Sequence, residues 1–227
     1  MQAFKLDGMR VLITQSRDFM GPALCACFAE LGAEVIADDS LLADAGVAEQ
    51  VIANAGRIDA LVVNLATPAP STPAAAVDEQ EWQKCFALMV HPMQRLVKAV
   101  LPQMQARQAG KIVLMGSAAA LKGMANRSSY AAARGAQLAY IQALGVELAP
   151  QGIQANAIAQ NFVDNPTYFP PEVQALPAFK DRLKWQVPLG RLVSAEEDAM
   201  FAAYLCSAAA NCFVGQVFPM CGGWVTR

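Results

Sequence analysis

The chain has one histidine in 227 residues and six cysteines, at 25, 27, 85, 206, 212 and 221, with no CxxC pair among them. Such a donor set offers no zinc site, so no metal is expected. Scattered, unpaired cysteines read as reduced thiols, mostly in the core, and the expected location is cytoplasmic. Charge is sparse: 17 Lys and Arg stand against 19 Asp and Glu, for a net charge of −2. That balance leaves no electrostatic footprint for nucleic acid or for an anionic membrane surface. No apolar run reaches membrane-spanning length, and the residues from Met1 to Arg10 are too polar for a secretory leader. Linkers, repeats and low-complexity tracts are also missing, so residues 1–227 read as one domain. What is abundant is core-forming material, 55% hydrophobic against 16% charged. The partner left by these exclusions is a small molecule.

Strand and helix signals alternate. Met9–Thr14 reads as a buried strand, Gly21–Leu31 as a helix stopped by Gly32, and Glu34–Asp38 as a second strand. A helix over Leu42–Ala55, a third strand over Asp59–Asn64 and a long helix over Glu79–Ala106 follow, with a bend expected at Pro92. Lys111–Met115 is the central strand, and the Ala-rich segment carrying Tyr130 is a helix to about Ala149. Gln154–Ala159 is another strand, and the irregular segment from Gln160 to Pro177 is the expected substrate-facing loop. Helices over Phe179–Gln186 and Ala195–Ser207, the second opened by Ser194 with Glu197 as a capping box, lead to a last strand over Gln216–Met220. Such alternation implies an α/β fold: a doubly wound, Rossmann-like parallel sheet with helices on both faces.

One more absence stands inside that pattern. The turn after the first strand of a dinucleotide-binding sheet is glycine-rich, because a pyrophosphate must approach the backbone at a helix N-terminus. Here it reads Thr14-Gln15-Ser16-Arg17-Asp18-Phe19-Met20-Gly21, and only Gly21 suits the role. Asp18 would repel phosphate and Phe19 would project bulk into the crevice. Asp38 and Asp39 then read as loop-capping residues rather than ribose ligands.

Catalytic chemistry is written further along, from Ser117 to Arg134. Ser117 lies at the exit of the central strand, where α/β sheets place their sites. Tyr130 and Arg134 are four residues apart on a helix, so their side chains share one face. A guanidinium beside a phenol favours the phenolate and brings it towards general-base duty. Together the three residues suit removal of a proton from a substrate alcohol.

The order Asp59…Val63-Asn64, Ser117…Tyr130, Gly152-Ile153-Gln154-Ala155-Asn156-Ala157-Ile158, Pro188-Leu189-Gly190-Arg191-Leu192 and Gly215-Gln216…Gly222-Gly223 resembles the short-chain dehydrogenase/reductases over nearly the whole chain. Four departures stand out. Arg134 replaces the usual lysine, Gln160-Asn161 replaces a Pro-Gly, Val63-Asn64-Leu65-Ala66 replaces Asn-Asn-Ala-Gly, and a structural asparagine is missing near Met89-Val90. With the aromatic loop from Asn161 to Pro170, these departures resemble the halohydrin dehalogenases, a cofactor-free offshoot.

That resemblance implies conversion of vicinal halohydrins to epoxides and halide, and the reverse opening of epoxides by azide, cyanide or nitrite. It implies no cofactor. Ser117, Tyr130 and Arg134 would be catalytic; Phe19, Gln160, Asn161, Phe162, Val163 and Phe169 would form the halide end, with backbone N–H groups near Phe162 and Val163 solvating the anion; Leu65, Thr67 and Met124 would border the substrate. Met20 and Met115 are further candidates for the wall. Relatives on this scaffold are commonly tetramers, and the apolar long helix and Tyr130 helix fit a homo-oligomer. A nicotinamide-dependent short-chain reductase with a degenerate turn is the alternative.

Overall fold

The computed structural model describes residues 4–226. Six strands form one parallel sheet: β1 (Arg10–Thr14), β2 (Glu34–Asp38), β3 (Ala60–Val63), β4 (Gly110–Ser117), β5 (Ile153–Gln160) and β6 (Val217–Met220), in the spatial order β2-β1-β3-β4-β5-β6. The order reverses between β1 and β3, and ligands of such sheets bind outside the carboxyl ends of the strands at that point. The described residues also form seven α-helices: α1 (Gly21–Glu30), α2 (Val47–Ala55), α3 (Glu79–Arg107), α4 (Ser128–Leu148), α5 (Pro171–Gln174), α6 (Pro177–Gln186) and α7 (Ala195–Cys206).

Alternate strand residues feed two cores. Leu12, Leu61, Val63, Ile112, Leu114, Ala155 and Ala157 face α2, α3 and α4, whereas Val11, Ile13, Ala60, Val62, Val113, Met115 and Ile158 face α1 and α7. Both faces of the central strands are therefore dry, which is why β3 and β4 read as unbroken apolar runs. The outer strand β2 is the exception, with Glu34 and Ala37 exposed. Where helix meets sheet edge the packing is tight: a Cβ on Gly145 would lie 2.2 Å from the backbone nitrogen of Gly215.

Several boundaries differ from expectation. Helix α2 begins at Val47 rather than Leu42, because Gly46 takes a left-handed φ of 82° and Leu42 is buried from a loop. Helix α3 runs through Pro92 and Pro102 as expected and ends one residue later than Ala106, at Arg107. A proline there forfeits one backbone hydrogen bond, and burial of Met89, Met93, Leu96, Val97 and Val100 along one face holds the helix together. The loop after β5 contains one short helix, α5. The capping box is present: Ser194 Oγ accepts from the Glu197 N–H, and the Glu197 carboxylate accepts from the Ser194 N–H. Among the described residues no helix is long and apolar enough to cross a membrane, and no group of three or more His, Cys, Asp or Glu could hold a metal ion.

Candidate active site

A cavity of about 230 Å³ opens at the carboxyl ends of β3, β4 and β5. Its wall brings together Ser117, Tyr130 and Arg134 with Phe19, Gln160, Asn161, Phe162, Val163, Phe169 and Met124, from five separate parts of the chain. Met20 and Met115 line it as well. Leu65 and Thr67 do not. Leu65 is buried in the core on the α3/α4 side and offers only its carbonyl, which accepts from Arg134 Nη1 at 2.9 Å. Thr67 likewise contributes a carbonyl, to Tyr168, while Ala66 and Ala69 form that stretch of wall.

At the centre, Arg134 Nε donates to Tyr130 Oη at 3.1 Å. Arg134 is buried, and its Nη1 also donates to the carbonyls of Leu65 and Met115 and to Gln137 Oε1. Gln137 Nε2 in turn donates to the Met89 carbonyl at 2.8 Å, so α3 and α4 jointly fix the guanidinium. Burial alone would push the Tyr130 phenol up, but the Arg134 charge, with hydrogen bonds from Tyr168, Arg134 and Ser117, outweighs it and holds the phenol below its ordinary value of 10. Burial likewise opposes the Arg134 charge, and the facing phenols more than compensate, so the guanidinium stays protonated. Ser117 Oγ accepts from the Ala119 N–H at 3.2 Å, which leaves its own O–H to donate either to Tyr130 or to an oxygen bound in the cavity.

Tyr168 was not expected here, although it belongs to the aromatic loop. Its hydroxyl donates to the Thr67 carbonyl at 2.7 Å and lies 3.3 Å from Tyr130 Oη. Burial and the neighbouring Tyr130 push the Tyr168 phenol far up, so it stays a donor while Tyr130 ionises. Gln137, Arg127 and Arg182 were also missed. Only Gln137 had a signal in the sequence, its spacing of three from Arg134 on one helix.

The β1–α1 turn bears on whether a dinucleotide fits. Gln15 and Phe19 both adopt left-handed backbone, φ 45° and 52°, at positions where glycine is the ordinary choice. Gln15 spends its amide on Ala66, donating to the carbonyl and accepting from the N–H, and Asn64 Nδ2 donates to the carbonyls of Gln15 and Asp18. Phe19 packs against Tyr168 with ring centroids 5.5 Å apart, carrying an aromatic wall from the turn to the loop. Asp39 is engaged by Ser16 Oγ, the Arg17 N–H and the Arg17 side chain, and Asp38 by Ser40. The close approach to backbone that a pyrophosphate needs is occupied here by side chains, and Asp39 caps the turn, while Asp38 at the end of β2 keeps its Oδ2 buried with no partner among the described residues.

At the opposite end, Phe162 stacks on Phe169 at 5.8 Å and carries the Arg182 guanidinium over its ring at 5.2 Å. Phe162 is also left-handed, φ 51°, and Val163 forms a parallel bridge with Val193. The Phe162 N–H does not face an anion as expected, because it donates to Asn161 Oδ1 at 3.0 Å. That bond turns the amide so that Asn161 Nδ2 is buried with no partner among the described residues. A buried donor without an acceptor costs about 1–3 kcal/mol, and Asn161 is one of the residues that line this end of the cavity. Gln160 is held by Asp198, whose burial pushes its carboxyl up to about 7 against the lowering bond from Gln160.

Comparison with known proteins agrees with this architecture. A family model described as Enoyl-(Acyl carrier protein) reductase matches residues 1–225. Dehydrogenase/reductase SDR family member 6 of Danio rerio is 30% identical over 97% of this chain and 98% of its own length. A solved structure titled "Dehalogenation enzyme" superposes with a TM-score of 0.89 at 31% identity, covering 97% of this chain and 99% of its own. A halohydrin dehalogenase bound to ethyl (2S)-oxiran-2-ylacetate gives 0.85 at 25% identity, covering 96% of this chain and 98% of its own.

Proposed function

The chain belongs to the short-chain dehydrogenase/reductase family, and within that family of enzymes we propose that it is a nicotinamide-independent lyase that closes vicinal halohydrins to epoxides. The observation that carries this reading is Phe19. It occupies a left-handed turn position with its ring against Tyr168, and so fills the crevice beside an otherwise complete Ser117, Tyr130 and Arg134. Proton abstraction from an alcohol remains available. Hydride transfer to a bound carrier does not.

The Tyr130 phenolate takes the substrate hydroxyl proton while the Ser117 O–H donates to the same oxygen. The C–O bond then forms as the carbon–halogen bond breaks, and the halide leaves with the electron pair towards Asn161 Nδ2 and the Phe162 ring. Confinement in a small cavity holds oxygen, carbon and halogen in line, and alignment of this kind is worth several powers of ten in rate. Run backwards, the site would admit azide, cyanide or nitrite to an epoxide. The dehalogenase titles among the structural neighbours support this reading.

The dehydrogenase named among the sequence relatives favours a second reading, a nicotinamide-dependent alcohol oxidation. One assay separates the two. Dialysed protein given 1,3-dichloro-2-propanol without nucleotide should release chloride, and Tyr130→Phe and Arg134→Ala should abolish the release. Tight binding of NAD(H) or NADP(H) with oxidation of the alcohol, and no chloride, would favour the dehydrogenase.

A further inference from the structure

Three arginines line the cavity, Arg127, Arg134 and Arg182, and no carboxylate among the described residues does. Arg134 is buried, Arg127 half-buried and Arg182 exposed, so only the first requires a counter-charge within the protein, and the other two present positive charge to whatever the cavity binds. For Arg134 that counter-charge is the Tyr130 phenolate. Arg182, over the Phe162 ring, stands at the end assigned to the departing halide. Arg127 is left over. It lies half-buried at the other end, one residue before α4, and its Nη1 donates to the carbonyls of Ala69 and Pro70. Those two neutral acceptors fix the guanidinium plane against the cavity wall without neutralising it, and Arg127 makes no ion pair among the described residues.

Resting on the dehalogenation reading, we propose that the natural substrate carries an acid group beyond the hydroxyl carbon, a carboxylate that pairs with Arg127. A fixed guanidinium suits a planar carboxylate, with two N–H groups for two oxygens. Two negative charges then face the three cations at every stage: the substrate acid throughout, with the phenolate before the reaction and the halide after it. The acid is a spectator in the chemistry. The hydroxyl O–H proton goes to Tyr130, C–O forms, carbon–halogen breaks, and halide departs with the bonding pair, leaving an epoxy acid.

The test compares 4-chloro-3-hydroxybutanoate with its primary amide, nearly the same shape without the charge. Wild-type kcat/KM for chloride release should favour the acid by about tenfold or more, equivalent to about 1.4 kcal/mol, with the difference mainly in KM. Arg127→Gln should bring the acid-to-amide ratio close to one, and Arg127→Lys should keep part of it. A wild-type ratio of one or below, or a ratio that Arg127→Gln leaves in place, would overturn the assignment. Calorimetric titration of Tyr130→Phe with the two intact halohydrins asks the same question without turnover. Preferential binding of the acid with no chloride release from either compound by the wild type would retain the acid site and discard the dehalogenase. Chloride release from both compounds, with equal binding, would do the reverse.

Discussion

Tyr130 and Arg134 set the chemistry at the scale of single residues. On the proposed reading the base is the Tyr130 phenolate, which populates as pH rises through a value that the adjacent guanidinium holds below 10. The pH profile of kcat/KM for halide release should therefore have a rising limb below pH 10, and Arg134→Gln should move that limb upward. Tyr168→Phe should move it in the same direction by a smaller amount, since it removes a hydroxyl whose one proton can turn from the Thr67 carbonyl to the phenolate. Tyr130→Phe should lower kcat by about 10²–10⁴-fold, the usual range for a positioned base. The meeting of Tyr130 and Arg134 was legible in the sequence because a spacing of four on a helix dictates proximity. Leu65 and Thr67 were not, since whether a loop residue turns its side chain or its carbonyl inward depends on partners distant in the chain, here Arg134 and Tyr168. Asn161 was expected as an anion ligand, but that its own side chain would take the Phe162 N–H needed coordinates.

Among the elements, the β1–α1 turn and the β5–α7 contact carry the most. The turn keeps a left-handed path at Gln15 and Phe19 although neither is glycine, and such residues each cost on the order of 1 kcal/mol. Gly21 cannot be replaced, because a Cβ there would lie 2.2 Å from the Gln15 carbonyl oxygen. Chemical denaturation should accordingly show Gly21→Ala destabilised by more than about 1–3 kcal/mol. In α7, Asp198 is fully buried, its Oδ2 accepts from Gln160, and its Oδ1 has no partner among the described residues. Burial raises its carboxyl from 3.8 to about 7, so the stability it allows is complete below the unfolded value and is lost as pH rises through the folded one. Asp198→Asn should thus be more stable than wild type at pH 8.5, by up to a few kcal/mol, since each tenfold change in proton affinity is worth about 1.4 kcal/mol. The gap should close towards pH 4, and urea midpoints at the two pH values decide it. Apolar periodicity announced nearly every element. The start of α2 escaped it, since it is set by left-handed backbone at Gly46 with Leu42 buried from the loop before it, whereas α3 was read through both of its prolines.

Across the whole molecule, the order of the sheet reverses between β1 and β3, and the cavity at the carboxyl ends of the strands, with Phe19 in its wall, is polar at Tyr130 and aromatic at Phe162. The same scale holds the expectation of self-association: Trp82 on α3 and Val146 on α4 are exposed apolar groups on helices that pack together on one side of the sheet. Sedimentation should give a mass several times that of one chain, reduced by Val146→Glu. The halide chamber itself is tested most directly by anomalous diffraction from crystals soaked in bromide. A single bromide should lie between Phe19 and Phe162 within hydrogen-bonding reach of Asn161 Nδ2, facing Tyr130. A dinucleotide threaded past Gln15 and Phe19, or a cavity that takes up no bromide at all, would contradict it.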